Sequence, residues 1–385
     1  MITLILLIII LGILIFVHEL GHYLAAKYYG VHVHEFALGM GPKIFSFKRK
    51  NKKDPTLYSL RALPIGGFCA MAGEVDEESD NPEVKTDKTV KIRKDEYMCN
   101  KTKWQRFVIL FAGSFFNFIL AFILFFMMSM IWGHNDTSSR IGAVCNGEVM
   151  IMEDGNPVLN EANSEPVTCN ASVMYNAGVR AGDKIISVNG HRVRNWDRYI
   201  TVINLRHDPE EPFVFIIESP DGTRATHRIS PERFTDEDGN ERMQFGMGQS
   251  AEVYTGFLTS LRYGGTRVAD TVSTMGFTIS SLITGRLSLS NLGGPVAMYG
   301  IVGELSSHGI SALMFLTAFL AINLGVINLL PFPAVDGGRI VFILVETITR
   351  RKVPQKVEGI MHIVGFALLM LLMLYVTIMD IWRLF

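Results

Sequence analysis

The stretch FVHELGHYLAAKYYG, residues 16–30, places two imidazoles and a carboxylate within five positions: His18, Glu19 and His22. On an α-helix, side chains four apart lie on one face, one turn from each other. Two histidines so placed can share one Zn2+, and a glutamate beside them can take a proton from water. That chemistry is hydrolysis, with His18 and His22 as ligands and Glu19 as general base. Catalytic zinc commonly has three protein ligands and an open fourth position. A third ligand must therefore come from elsewhere in the chain. The plain alternative is a pair of helix-end histidines at a lipid interface. Ionisable groups inside a membrane are costly and mostly functional, which favours the metal reading.

The motif ends an almost unbroken apolar run, MITLILLIIILGILI. Similar runs cover residues 107–132, with no charge, and residues 309–333 and 359–379. A bilayer core of about 30 Å needs about 20 helical residues, so the expected fold is polytopic and α-helical, with four transmembrane helices. A hydrophobic content of 49% and a mean hydropathy of +0.26 agree with a membrane protein. The first run lacks the basic start and small-residue cleavage site of a signal peptide. A net charge of −1 gives no reason to expect a nucleic-acid partner. Lys and Arg concentrate in KIFSFKRKNKK, residues 43–53, and at Arg350, Arg351, Lys352 and Lys356. The positive-inside rule makes both segments cytoplasmic, and the region from about residue 134 to 308 and both termini external.

Depth identifies the third ligand. At 1.5 Å per residue, His18 lies about 25 Å into the membrane, in its cytoplasmic third. The third apolar run also heads inward and ends in NLGVINLLPFPAVDGGRI, where Pro331 and Pro333 break the helix. Asp336 follows at a similar depth. Taken alone it would be a helix cap or loop carboxylate; with the H-E-x-x-H motif it is the expected third ligand.

Residues 33–75 alternate apolar and polar positions between Gly and Pro breaks, which predicts a β-hairpin or small sheet dipping toward the membrane. Residues 76–103 read as a charged surface connector with a short amphipathic helix near KWQRF. From about 140 to 235 the pattern is a compact α/β module, with an Asn189-Gly190 turn and a helix starting near Asn195. This stretch resembles a PDZ domain of the circularly arranged bacterial kind, a class that binds extended peptides by strand addition. Residues 147–172 form an insertion relative to that pattern. Cys145 and Cys169 flank it on the outer side and are expected to pair; Cys69 and Cys99 are expected to be reduced.

The chain as a whole resembles the site-2 protease family of intramembrane zinc metalloproteases, and within it the bacterial regulators of envelope stress signalling. The family pattern N-x-x-P-x-P-x-L-D-G runs here from Asn328 to Gly337, with Val335 in place of Leu. The resemblance implies His18, His22 and Asp336 as zinc ligands and Glu19 as general base. It implies that Asn323 and Asn328 assist substrate binding or the transition state; interhelical hydrogen bonding is the alternative use for such amides. GSFFNF, residues 113–118, resembles the family's G-P-x-x-N-F, with Ser114 replacing Pro. Asn117 would tie spans together or help admit substrate. NLGGPVAMYG, residues 291–300, is also family-like, with no chemistry of its own to assign.

The implied partners are single-pass transmembrane substrates, such as anti-sigma factors or signal-peptide remnants, and an upstream protease that trims them first. The implied place is the bacterial inner membrane. The expected segments are a first transmembrane helix (1–27), a cytoplasmic hairpin segment (28–103) and a second helix (104–132). An external PDZ-like domain (133–245) and an amphipathic connecting region (246–308) follow. A third helix with the Asp336 motif (309–338), a cytoplasmic loop (339–358) and a fourth helix (359–385) complete the chain. A non-catalytic zinc-binding scaffold with a peptide-recruiting module, or a metal transporter, would use the same ligands without needing Glu19 as a base.

Overall fold

The computed structural model describes residues 2–48, 56–73, 92–135, 138–153, 155–159, 165–169, 172–205, 211–235, 241–249, 253–287, 293–351 and 353–382. Most of the 76–103 connector, and parts of the 43–53 basic run, the 147–172 insertion and the NLGGPVAMYG motif, lie outside these residues. The elements begin with α1 (Ile2–Tyr28), β1 (Val33–Lys48), β2 (Leu57–Met71), α2 (Lys103–Trp132), β3 (His134–Asn135), β4 (Ile141–Cys145) and β5 (Met150–Met152). Then come α3 (Val173–Asn176), β6 (Lys184–Val188), β7 (His191–Arg192), α4 (Trp196–Ile203), β8 (Phe213–Glu218), β9 (Arg224–Ile229), β10 (Glu232–Thr235) and β11 (Glu241–Gln244). The last are β12 (Met247–Gln249), β13 (Val253–Tyr254), α5 (Phe257–Ile283), α6 (Pro295–Ser307), α7 (Ile310–Asn328), α8 (Asp336–Thr349) and α9 (Gln355–Trp382). They form two compact units, residues 1–126 with 292–385, and residues 127–291.

Among the described residues, four helices are long and apolar enough to cross a bilayer: Ile2–Tyr28, Lys103–Trp132 (which continues past the first unit), Ile310–Asn328 and Val357–Trp382. On α1 the buried positions Ile10, Leu14, His18, Gly21, His22 and Ala26 recur at three- and four-residue steps, so one stripe faces protein and carries both histidines. KWQRF is the first turn of α2 rather than a separate helix. The third span stops at Asn328, where the Pro-containing segment follows, and the expected loop over 339–358 is mostly the separate helix α8. At 14 residues α8 is too short to span a bilayer. The family-like NLGGPV segment starts α6, where Gly294 N and Ala297 N donate to Asp380 Oδ2 at 2.8 and 3.0 Å. A carboxylate there offsets the positive end of the helix.

The strands β1 and β2 form more than a hairpin. Phe36 pairs with both Cys69 and Tyr58, and Leu38 with both Gly67 and Leu60. Each strand therefore doubles back, giving four segments in the order 43–48, 57–60, 33–38, 67–71. The two central segments run in the same direction: Glu35, Phe36, Ala37 and Leu38 match Leu57, Tyr58, Ser59 and Leu60 in turn. Gly39 makes the reversal in β1, with φ +88° and space for no Cβ beside Leu63 O. Glu35 is buried at the centre, held by Arg61 and Lys43, each at 3.0 Å, and by the Ser59 hydroxyl.

The second unit is built around a sheet of order β7-β6-β8-β9 and a second of order β12-β4-β5. Strict alternation in β8 sends Phe213, Phe215 and Ile217 into a core with Ile141, Met174, Val188 and Phe245. Asn189 and Gly190, at φ 48° and 78°, make the turn between β6 and β7. Asn195 caps α4 through its contact with Arg198 N at 2.8 Å. Cys145 and Cys169 are joined in a disulfide, and Cys69 and Cys99 are free. The expected connecting region contains the long helix α5, which packs on α4 through an Arg267–Asp197 ion pair of 2.6 Å. Ala143 and Val144 of β4 are paired on both sides, with Gly248 and Met247 of β12 and with Met152 and Ile151 of β5. Strand addition to β4 finds no free edge at these residues.

Candidate metal centre

The buried stripe of α1 brings His18 and His22 to α8, whose first residue is Asp336. His18 Nε2 and His22 Nε2 lie 3.2 Å apart. Asp336 Oδ2 is 3.1 Å from the first and 3.2 Å from the second. Two zinc bonds of about 2.0–2.1 Å at a tetrahedral angle put donor atoms about 3.3 Å apart. The triangle therefore has the dimensions of three zinc ligands, and these three residues could hold a metal ion. Asp336 Oδ2 is buried with no hydrogen-bond donor apart from the imidazoles. Glu19 sits beside them, within electrostatic reach of all three, and its carboxylate accepts a hydrogen bond from Cys69 N–H of β2. A two-histidine, one-carboxylate set with an adjacent carboxylate is the composition of a hydrolytic zinc site.

The profile of peptidase family M50 matches residues 6–372. The chain belongs to peptidase family M50, the site-2 protease family. It is 31% identical to the regulator of sigma-W protease RasP of Bacillus subtilis, over 100% of this chain and 99% of that protein. It is equally similar to the zinc metalloprotease RasP of Bacillus licheniformis, with the same coverage. To the zinc metalloprotease RasP of Geobacillus kaustophilus it is 31% identical, over 98% of this chain and 97% of the relative. The chain is thus a multi-pass membrane zinc metalloprotease, and the expectations of family, enzyme class and cofactor hold.

In this M50 chain the GSFFNF motif has a direct geometric meaning. A Cβ on Gly113 would lie 2.3 Å from His22 Nε2 and 2.8 Å from His18 Cε1. A Cβ on Gly21 would lie 2.3 Å from Ala112 O. The backbones of α1 and α2 therefore touch at the imidazoles, which only paired glycines permit. Asn117, one turn past Gly113, is fully buried with Nδ2 3.4 Å from His18 Nδ1. Its Oδ1 has no partner among the described residues. Rotating the amide by half a turn puts Oδ1 against His18 Nδ1–H and satisfies both groups, and such assignments follow the hydrogen-bond network. His22 Nδ1 already donates to Ile109 O at 2.8 Å. Both rings would then offer Nε2 to a metal held there, their tautomers fixed from α2. Phe118 closes the motif, packed where a Cβ on Gly325 of α7 would stand.

The Asp336 side is braced in the same manner. The carbonyls of Leu330 and Phe332 leave no room for a Cβ on Gly337 or Gly338, so the Pro-containing segment folds tightly over the start of α8. Ala334, at φ 82°, donates its N–H to His362 Nδ1 of α9 at 3.1 Å, and Gly365 packs on Pro333. Asn328 Nδ2 is 3.3 Å from His18 Nε2, so the structure brings this asparagine to the ligand group. Asn323 is five residues earlier, about 140° round the helix. Its Oδ1 is buried without a partner among the described residues, away from that group. Gly21, Gly113 and His362 were not singled out by sequence. The two glycines carry no signal until the helices are seen to touch, and His362 gave none.

Proposed function

We propose that this M50 chain cleaves transmembrane segments of single-pass proteins inside the bacterial cytoplasmic membrane, with His18, His22 and Asp336 holding zinc and Glu19 as general base. The supporting observation is the three-ligand triangle at the end of an apolar helix, with Glu19 tied to a strand edge beside it. Bound zinc would supply Lewis-acid polarisation of the scissile carbonyl and acidify water. Glu19 takes the proton of the attacking water on its carboxylate and passes it to the leaving amine. Cys69 N–H holds that carboxylate in place. Asn328, whose amide stands at His18 Nε2, donates to the oxygen on which negative charge develops. Asn117 orients His18. The substrate unwinds and pairs with the outer edge of segment 67–71, because a helical peptide bond is shielded from attack.

The outer unit is PDZ-like and excludes substrates whose external domains have not been trimmed by another protease. Its β4 is paired on both edges at Ala143 and Val144, which favours a filter over a recruiter of peptides at that strand. Anti-sigma factors and signal-peptide remnants are the substrate classes, with the active site near the cytoplasmic side. Glu19→Gln should retain zinc and lose cleavage of a model transmembrane substrate in detergent. Retained activity would remove Glu19 from the mechanism, and chelator-resistant cleavage would remove the metal. Deleting residues 140–235 should let untrimmed substrate be cut; unchanged selectivity refutes the filter.

A further inference from the structure

Where α2 begins and α8 ends, a cavity of about 310 Å³ is walled by Lys101, Lys103, Arg106, Arg350 and Arg351, with Glu346 the carboxylate among them. Glu346 is already engaged, by Arg106 Nη1 at 2.8 Å and Val353 N at 3.2 Å. Lys103 Nζ donates to Glu346 O at 2.9 Å, and Lys101 Nζ to Tyr29 O at 2.7 Å. Those carbonyls take hydrogen bonds without cancelling charge. Arg350 and Arg351 are exposed, and their guanidinium groups have no protein partner among the described residues. The cavity thus carries four positive charges in excess; the positive end of the α2 dipole is offset there by the negative end of α8, so the side chains set the sign. Like charges gathered this closely repel unless an anion joins them.

Position says which anion. Tyr29 directly follows α1 and Lys103 is the first residue of α2, so the cavity lies at the ends of two candidate spans, in the headgroup layer. Trp104 beside it is 66% exposed, and Ile348 on the last turn of α8 is 82% exposed. An interfacial tryptophan and bare apolar side chains suit acyl chains. We propose that this cavity binds the phosphate of an anionic phospholipid headgroup. The bound lipid braces α8 against α2 at the end of α8 opposite Asp336.

The test uses the full chain in phosphatidylcholine nanodiscs or micelles, titrated with phosphatidylglycerol and followed by thermal shift and by native mass spectrometry of retained lipid. Wild type should show a saturable upward shift and retain phosphatidylglycerol. At about 1 kcal/mol per cation near a membrane surface, the double variant Arg350→Asn, Arg351→Gln should weaken binding roughly thirtyfold. Both side chains are exposed, so its zinc content should stay at the wild-type level. The control Arg192→Gln, Arg228→Gln removes as much charge from exposed sites in the outer unit and should bind as wild type does. Equal affinity in the Arg350/Arg351 variant overturns the proposal, as does an equal loss in the control. Inorganic phosphate producing the same saturable shift overturns the lipid assignment in favour of a free-phosphate site.

Discussion

Gly113→Ala is the sharpest perturbation of the centre. The added methyl would stand 2.3 Å from His22 Nε2, 2.7 Å from His22 Cε1 and 2.8 Å from His18 Cε1. Ordinary contact lies near 3.5 Å, so the overlap is about 1 Å. Zinc bond lengths tolerate about 0.2 Å. Either both imidazoles leave the ligand triangle, or α2 moves off α1 and takes Ile109 O and Asn117 with it. Overpacking by one methyl costs about 1–3 kcal/mol. Charged to metal binding, that is about a 5- to 150-fold weaker Kd. The assay is zinc competition with a chromophoric chelator on purified protein, beside cleavage of a transmembrane substrate and a thermal melt. Gly12→Ala is the control: it lies on α1 with nothing within 4 Å of the added methyl, and it should leave zinc binding unchanged. A Gly113→Ala protein with wild-type zinc affinity and turnover would refute the claim that this contact sets the ligand geometry.

Asn117→Ala should weaken zinc 10- to 100-fold, as loss of an outer-shell partner does, while Asn117→Asp, which still accepts from His18 Nδ1–H, should retain most of it; equal affinities rule out the orienting role. His362→Ala leaves Ala334 N–H without its acceptor and should cost about 1–3 kcal/mol, read as a lower melting temperature and weaker zinc binding. At Glu35, burial pushes the carboxyl up, but hydrogen bonds from Ser59, Lys43 and Arg61 outweigh it and hold it below the usual range. Such a group stabilises above its unfolded pKa of about 4.3, and the gain is lost as pH falls through the folded value. Glu35→Gln should therefore melt well below wild type at pH 7, with the gap closing on acidification; a gap independent of pH contradicts this. Removing the Cys145–Cys169 disulfide should destabilise the second unit by about 3 kcal/mol, from the loop of 24-residue separation it closes, visible as a lower melting temperature under reductant.

Much of the centre was legible because its residue types are improbable where they stand. His18, Glu19 and His22 at helical spacing in an apolar run leave few alternatives, and Pro331 and Pro333 announce the break that presents Asp336. The four spans were legible from length and apolarity. What stayed hidden depends on contacts between distant segments. Gly113 and Gly21 are unremarkable small residues until two helices are seen to touch. The doubling back of β1 and β2 leaves no mark, because a strand of alternating residues looks the same paired on one side or two. Helix α8 reads as loop in the sequence because Arg339 and Glu346 interrupt its apolar pattern and its 14 residues make no span-length run. The separation of Asn323 from Asn328 was computable from helical period alone.

For a transmembrane substrate of the proposed kind, the touching backbones of α1 and α2 also restrict the route of entry. Helices need about 8–10 Å between axes to admit side chains, and a third helix needs far more than that to pass between two others. At the imidazoles α1 and α2 leave no gap, and further along α2 the Phe118 ring plugs the seam with α7. Neither seam can serve as a lateral gate without pulling apart the scaffold that orients His18 and His22. Glu19, in contrast, leans on segment 67–71 of β2. Under the proposed function, a substrate arriving along that strand would reach Glu19 without disturbing His18, His22 or Asp336, so admission and metal geometry could vary independently.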